Sequence, residues 1–187
     1  IWTIKKWKAW QEQSNEFGFK FNRRVVKTGL FPNGSGVVIE KGLIVTNFHV
    51  ISDAFNQNQE LIVENHLGKT VKTQILGFDS EADIAVLGII DSIDLKPFKI
   101  RKNIDQVKVG ESVIAIGNPQ GLGQSFSKGI VSAINRTFQD KKGNFIQTDA
   151  SINPGNSGGA LIDDKGRLLG VVNVIRSTSG GNQGLNF

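Results

Sequence analysis

The stretch Asn153-Pro154-Gly155-Asn156-Ser157-Gly158-Gly159 offers the best setting in this chain for covalent chemistry. A serine hydroxyl is a weak nucleophile unless a neighbouring base takes its proton. Glycines on both sides of Ser157 allow a tight turn and close approach to a bound chain. They also let backbone N–H groups converge on one point, which is what stabilising an oxyanion requires. Gly155 and Ser157 would be the donors, with Asn156 between them in the same loop. An ordinary hairpin loop could carry the same residues, so the reading needs a base and a partner for that base.

Only two histidines are available, His49 and His66. His49 follows the apolar run Leu43-Ile44-Val45-Thr46-Asn47, so it is expected on a short turn at a strand end, held rigidly as a general base must be. His66 lies in Glu64-Asn65-His66-Leu67-Gly68, which reads as a solvent-exposed hairpin tip. An imidazole base needs a carboxylate to fix its tautomer and balance its charge. Asp83 stands at the mouth of the apolar run Ile84-Ala85-Val86-Leu87, where a carboxylate is costly unless paired. Asp79 sits in a turn and lacks that constraint. The order His49, Asp83, Ser157 is that of the chymotrypsin class and differs from the α/β-hydrolase and subtilisin orders.

These groups must be held by strands. Twenty-two glycines, four prolines and short β-branched runs separated by turn formers describe an all-β chain. The expected strands are 24–28, 35–40, 43–47, 61–64, 70–78 and 83–89, then 112–117, 129–135, 145–149, 159–163 and 167–175. The charged, proline-containing segment 89–104 divides them into two groups, which suggests two small barrels with the site in the cleft between. Expected boundaries are an N-terminal amphipathic extension at 1–20 and a protease-like domain at 21–187, its first barrel at about 21–96 and its second at about 104–187. In the extension, Ile1, Ile4, Trp7 and Trp10 recur every three residues among Lys5, Lys6 and Lys8. That spacing fits a short amphipathic helix, and Trp beside Lys suits a membrane surface. Packing of the tryptophans on the barrels or on another subunit is the competing expectation.

Composition removes several classes. The chain has 187 residues and no cysteine, which excludes disulfides, thiolate nucleophiles and cysteine metal sites. No apolar run approaches the roughly 18 residues of a membrane span, and residues 1–13 lack the apolar core of a secretory signal. A net charge of +5 is spread along the chain without a long basic run or a basic–aromatic motif, so nucleic acid is not an expected partner.

A family resemblance rests on a series of motifs in order: Gly34-Ser35-Gly36-Val37-Val38; Thr46-Asn47-Phe48-His49-Val50; Asp83-Ile84-Ala85-Val86-Leu87; Ile116-Gly117-Asn118-Pro119-Gln120-Gly121-Leu122; Ser127-Lys128-Gly129-Ile130-Val131-Ser132; Gln147-Thr148-Asp149-Ala150; and Ile152 through Gly159. Over residues 33–187 the chain resembles the protease domain of the HtrA (Deg) family, a branch of the trypsin-like serine proteases. The resemblance implies two six-stranded antiparallel β-barrels and peptide-bond hydrolysis without metal or organic cofactor. It assigns His49 as base, Asp83 as its partner, Ser157 as nucleophile and Gly155, Asn156 and Ser157 as the oxyanion loop. It further implies unfolded proteins as substrates, a homotrimer or a multiple of trimers, and a bacterial periplasm, cell envelope or organelle lumen as the location. No PDZ domain, the usual C-terminal companion in that family, is expected in this chain.

In the trypsin-like class the residue six before the nucleophile lines the specificity pocket, which here is the uncharged Ser151. With Ile152 and Val172 shaping the pocket, the resemblance implies cleavage after small or medium apolar residues. Asp149 belongs to the family pattern and is not a trypsin-type determinant. Val171-Val172-Asn173 would offer a strand edge for an extended substrate. The alternative function is an inactive or regulated protease-fold module that only holds unfolded chains.

Overall fold

The computed structural model describes the chain except residues 15–19, 92, 94, 119–122, 139–140 and 174–187. Two curled antiparallel sheets make up the molecule. The first contains β1 (Trp2–Ser14), β2 (Lys20–Pro32), β3 (Val37–Glu40), β4 (Leu43–Thr46), β5 (Leu61–Glu64), β6 (Thr70–Asp79) and β7 (Ile84–Ile89), in the order β2-β1-β5-β6-β7-β4-β3. The second contains β8 (Ser112–Gly117), β9 (Ser125–Phe138), β10 (Lys141–Thr148), β11 (Ala160–Asp163) and β12 (Leu168–Val171), in the order β10-β9-β8-β11-β12. The all-β architecture of two half-barrels is thus as expected, with seven and five strands among the described residues in place of six and six.

The N-terminal segment differs from the sequence reading. Residues 2–14 form a strand rather than an amphipathic helix, paired in unbroken register with β2 from Trp2↔Pro32 to Ser14↔Lys20. Only Trp2 and Thr3 also pair with β5, opposite Ile62 and Leu61. Among the described residues the rest of this long hairpin pairs only within itself. The three-residue spacing was a local signal, and thirteen cross-strand pairs outweigh it, as tertiary context commonly does for Trp, Ile and Thr, which favour strands anyway.

Each sheet wraps its own apolar core. Ile44, Ile51, Leu61, Ala85 and Leu87 fill the first, and Val113, Val131, Ala150, Ile152, Leu161 and Val172 the second. A third cluster of Val37, Ile116, Ala160, Ile162 and Leu168 joins the two sheets. The strand-poor segment after β7 is fastened to both: Phe98 N–H donates to Val38 O on β3, and Arg101 N–H to Leu168 O on β12. The Arg101 guanidinium then bonds Glu111 at 2.6 Å and lies 3.8 Å from Asp163, which also pairs with Arg167. Among the described residues no helix is long and apolar enough to cross a membrane.

Candidate active site

His49 does not sit on a strand-end turn as the sequence suggested. It lies in the first turn of α1 (Phe48–Asn56), a nine-residue helix that follows β4 after Asn47 and buries Val50, Ile51 and Ala54. The spacing of those three residues puts one apolar face on the first core and leaves His49 outward, its side chain 45% exposed against 5% for that of Asp83. Asn47 precedes the helix but does not cap it with its side chain; its amide donates to Asp83 O at 3.0 Å instead. The cap comes from Asp83, whose Oδ1 accepts the His49 backbone N–H at 2.9 Å. A carboxylate at a helix N-terminus is favourable because it meets unsatisfied N–H groups and the positive end of the dipole.

Asp83 has φ of 56°, an uncommon left-handed conformation for a residue other than glycine. That twist turns both its oxygen-bearing groups toward the start of α1: its carbonyl also accepts the Phe48 N–H at 3.2 Å. Its Oδ2 bonds His49 Nδ1 at 2.8 Å and accepts from Asn173 Nδ2 at 3.1 Å. A carboxylate only accepts, so Nδ1 carries the ring proton and Nε2 is left with a free lone pair.

Ser157 belongs to a loop leading into β11. Asn156 N–H closes a turn on Asn153 O at 3.0 Å. Pro154 and Gly155 are its corners, and Gly155 has φ of 97°. Proline second and a positive-φ glycine third are the marks of a type II turn. The Asn156 N–H is spent on the turn, whereas among the described residues the N–H groups of Gly155 and Ser157 have no acceptor. Gly158, at φ 80°, is packed so closely that a Cβ would overlap Thr46 Oγ1 and Ser35 O.

The two halves meet through a short chain of bonds. Gly158 N–H donates to Val172 O at 2.8 Å, and the next residue, Asn173, holds Asp83 and through it His49. No hydrogen bond joins Ser157 Oγ to His49 among the described residues; such bonds are often long in an unliganded site and tighten on binding substrate. His66 is exposed, as read from the sequence.

Of the pocket residues, Ser151 is exposed, while Ile152 and Val172 are only 1% and 2% accessible and belong to the second core. Ile152 and Val172 nevertheless line one cavity together with Val171 and Asn173. Asp149 Oδ1 accepts the Ile130 N–H at 2.7 Å and serves the backbone. Val171 ends β12, the last strand in the order of the second sheet. Sequence reading missed the contacts of Asn47 and Ser35 and the role of Asn173 beside Asp83. Buried polar side chains must find partners, but the chain alone does not say which. Among the described residues no group of three or more His, Asp or Glu side chains could hold a metal ion.

A family model described as a trypsin-like peptidase domain matches residues 34–171. The chain is 43% identical over 158 residues to the periplasmic pH-dependent serine endoprotease DegQ of Escherichia coli K12, covering 82% of this chain and 34% of that protein. It is 41% identical over 158 residues to the periplasmic serine endoprotease DegP of the same organism, covering 82% and 32%. The chain thus spans about a third of the length of these curated relatives. Among solved structures, the HtrA-type protease AlgW with a decapeptide superimposes with a TM-score of 0.79 at 33% identity, covering 99% of this chain and 59% of that one. The family match runs from just before β3 to the end of β12, through both sheets and the segments that carry His49, Asp83 and Ser157, and on it the chain belongs to the trypsin-like peptidase family, in the HtrA/Deg branch.

Proposed function

We propose that this chain is a serine endopeptidase that cleaves unfolded or extended polypeptides through an acyl-enzyme. The observation that carries the reading is the double grip of the Asp83 carboxylate on His49, at the ring Nδ1 and at the backbone N–H. This fixes the tautomer with Nε2 free and aims an exposed imidazole from a rigid helix start. His49 Nε2 takes the Ser157 proton as Oγ attacks the peptide carbonyl. The N–H groups of Gly155 and Ser157 receive the developing oxyanion. His49 then gives its proton to the leaving amine, and water, activated by the same base, releases the acyl group.

Ser151, uncharged and exposed, with Ile152 and Val172 shaping the pocket, favours small or medium apolar side chains at the cleaved bond. The segment Val171-Val172-Asn173 offers an edge to an extended substrate, and only unfolded segments can lie along it. Action in the bacterial periplasm or cell envelope, in protein quality control, accords with the periplasmic relatives. A homotrimer or a multiple of trimers follows from the HtrA resemblance, and light scattering on the purified protein tests it. Surface binding by residues 1–20 is tested by liposome sedimentation with and without them.

The deciding experiment is hydrolysis of unfolded casein by the wild-type protein and by Ser157→Ala. Cleavage by the wild type alone is the expected result. Equal cleavage by both would overturn the assignment of Ser157. Binding of casein without cleavage by either would favour the holding module instead.

A further inference from the structure

Ser35 lies just before β3, in the first sheet, yet all its polar groups are engaged at the Ser157 loop or at the strand leading to His49. Its N–H donates to Ser157 O at 2.8 Å. Its hydroxyl donates to Gly155 O at 2.7 Å and accepts the Asn118 N–H at 2.8 Å. Its carbonyl accepts from Thr46 Oγ1 at 2.7 Å. The hydroxyl direction is forced: an amide N–H can only donate and a carbonyl can only accept, so the Ser35 proton must point at Gly155. The residue is 7% exposed, so water does not readily replace these bonds.

We propose that the Ser35 hydroxyl is a positioning group for the oxyanion turn, holding Gly155 to Ser157 in the conformation that presents their two N–H groups. The inference rests on the reading of those groups as the oxyanion donors. Gly155 and Ser157 mark the two ends of the three-residue segment, and each end is tied to Ser35 by one carbonyl. The Ser157 tie uses backbone and survives any side-chain change. The Gly155 tie depends wholly on the hydroxyl. Remove it and the Gly155 end keeps only the turn bond from Asn156 N–H to Asn153 O and loses its tie to the first sheet, at a glycine of φ 97° with the conformational freedom to shift. Asn118 fixes the hydroxyl from the other side, and its own Oδ1 accepts the Gly123 N–H at 2.9 Å, which keeps the donor in place.

The test is steady-state hydrolysis of a chromogenic peptide by the intact protein, comparing wild type with Ser35→Ala, Ser35→Thr and Ser157→Ala. Ser35→Ala is expected to lower kcat by about tenfold, the upper scale of one ordinary hydrogen bond, with KM nearly unchanged. A peptide aldehyde, whose adduct places an oxyanion in the hole, should lose affinity in step with kcat. The matching peptide amide, which forms no adduct, should bind as before. Ser35→Thr keeps the hydroxyl and should restore both values. If Ser35→Ala does not fold, Ser35→Cys, close in size but a weak donor, should give the same split. Wild-type kcat in Ser35→Ala, or equal losses for aldehyde and amide that track a lowered Tm, overturns the proposal while leaving the peptidase reading intact. Turnover by Ser157→Ala overturns that reading and this inference with it.

Discussion

Replacing Asp83 by asparagine tests the site where its geometry is most specific. Among the bonds the described residues make, three donors meet the Asp83 carboxylate: His49 N–H on Oδ1, and His49 Nδ1 and Asn173 Nδ2 on Oδ2. An asparagine offers one acceptor and two donor hydrogens in the same shape. If its oxygen keeps the His49 backbone N–H, its NH₂ faces both His49 Nδ1 and Asn173 Nδ2. It then donates to Nδ1, the ring proton moves to Nε2, and the imidazole can no longer accept the Ser157 proton. The opposite orientation keeps the His49 tautomer but turns the NH₂ against the His49 backbone N–H and frees the helix cap. The first is the less costly, since the donor it opposes is a side-chain amide that can turn, whereas the second opposes a fixed backbone N–H at the helix start. Locking a catalytic histidine in the wrong tautomer costs about 10⁴-fold in kcat, or roughly 5 kcal/mol of transition-state stabilisation. The folded state loses less, about 1–3 kcal/mol, because one acceptor and the packing remain. Peptide hydrolysis and urea unfolding measured on the same preparation separate the two effects. A kcat within tenfold of wild type, in a variant as stable as wild type, would refute the tautomer argument and with it the role given to His49 Nε2.

Two further predictions concern the frame around the site. Gly158→Ala should destabilise the fold by about 3 kcal/mol or more, since the φ of 80° alone costs 1–3 kcal/mol for a side-chain residue. The added methyl would also strike Thr46 Oγ1 and Ser35 O; unchanged urea unfolding would contradict that packing. Arg101→Met should cost about 2 kcal/mol at neutral pH through loss of charge-assisted hydrogen bonds and flatten the acid limb of stability. The Arg101 hydrogen bond holds Glu111 below its ordinary range. Burial raises Asp163, but hydrogen bonds from Arg167 and Lys165 outweigh it and leave that carboxyl lowered as well. Groups lowered on folding stabilise the protein above the unfolded-state value, about pH 4, and lose that contribution as the pH falls through the folded-state value. Thermal unfolding between pH 2 and pH 7 should therefore show a shallower acid decline in Arg101→Met than in the wild type.

Much of this was legible in the chain. Residues 61–64 and 112–117 were read as strands with the boundaries that β5 and β8 have, because alternation and turn residues are local signals. The serine loop, with its proline and glycines, specifies a turn that only such residues adopt, and Gly155 and Gly158 both have positive φ. Asp83 was singled out because an ionised group next to a buried strand needs a partner. The sequence could not say that the partners include Asn173, 90 residues away, or that Ser35 reaches Gly155 across 120. Nor could it give the left-handed backbone of Asp83 or the helix that carries His49. It misread residues 2–14, where local spacing suggested a helix and pairing with β2 made a strand. Residue type and near spacing thus determine which groups can react and where the chain must turn. Which of them are brought into hydrogen-bonding range is decided by the packing of two sheets, since that depends on contacts between segments far apart in the chain.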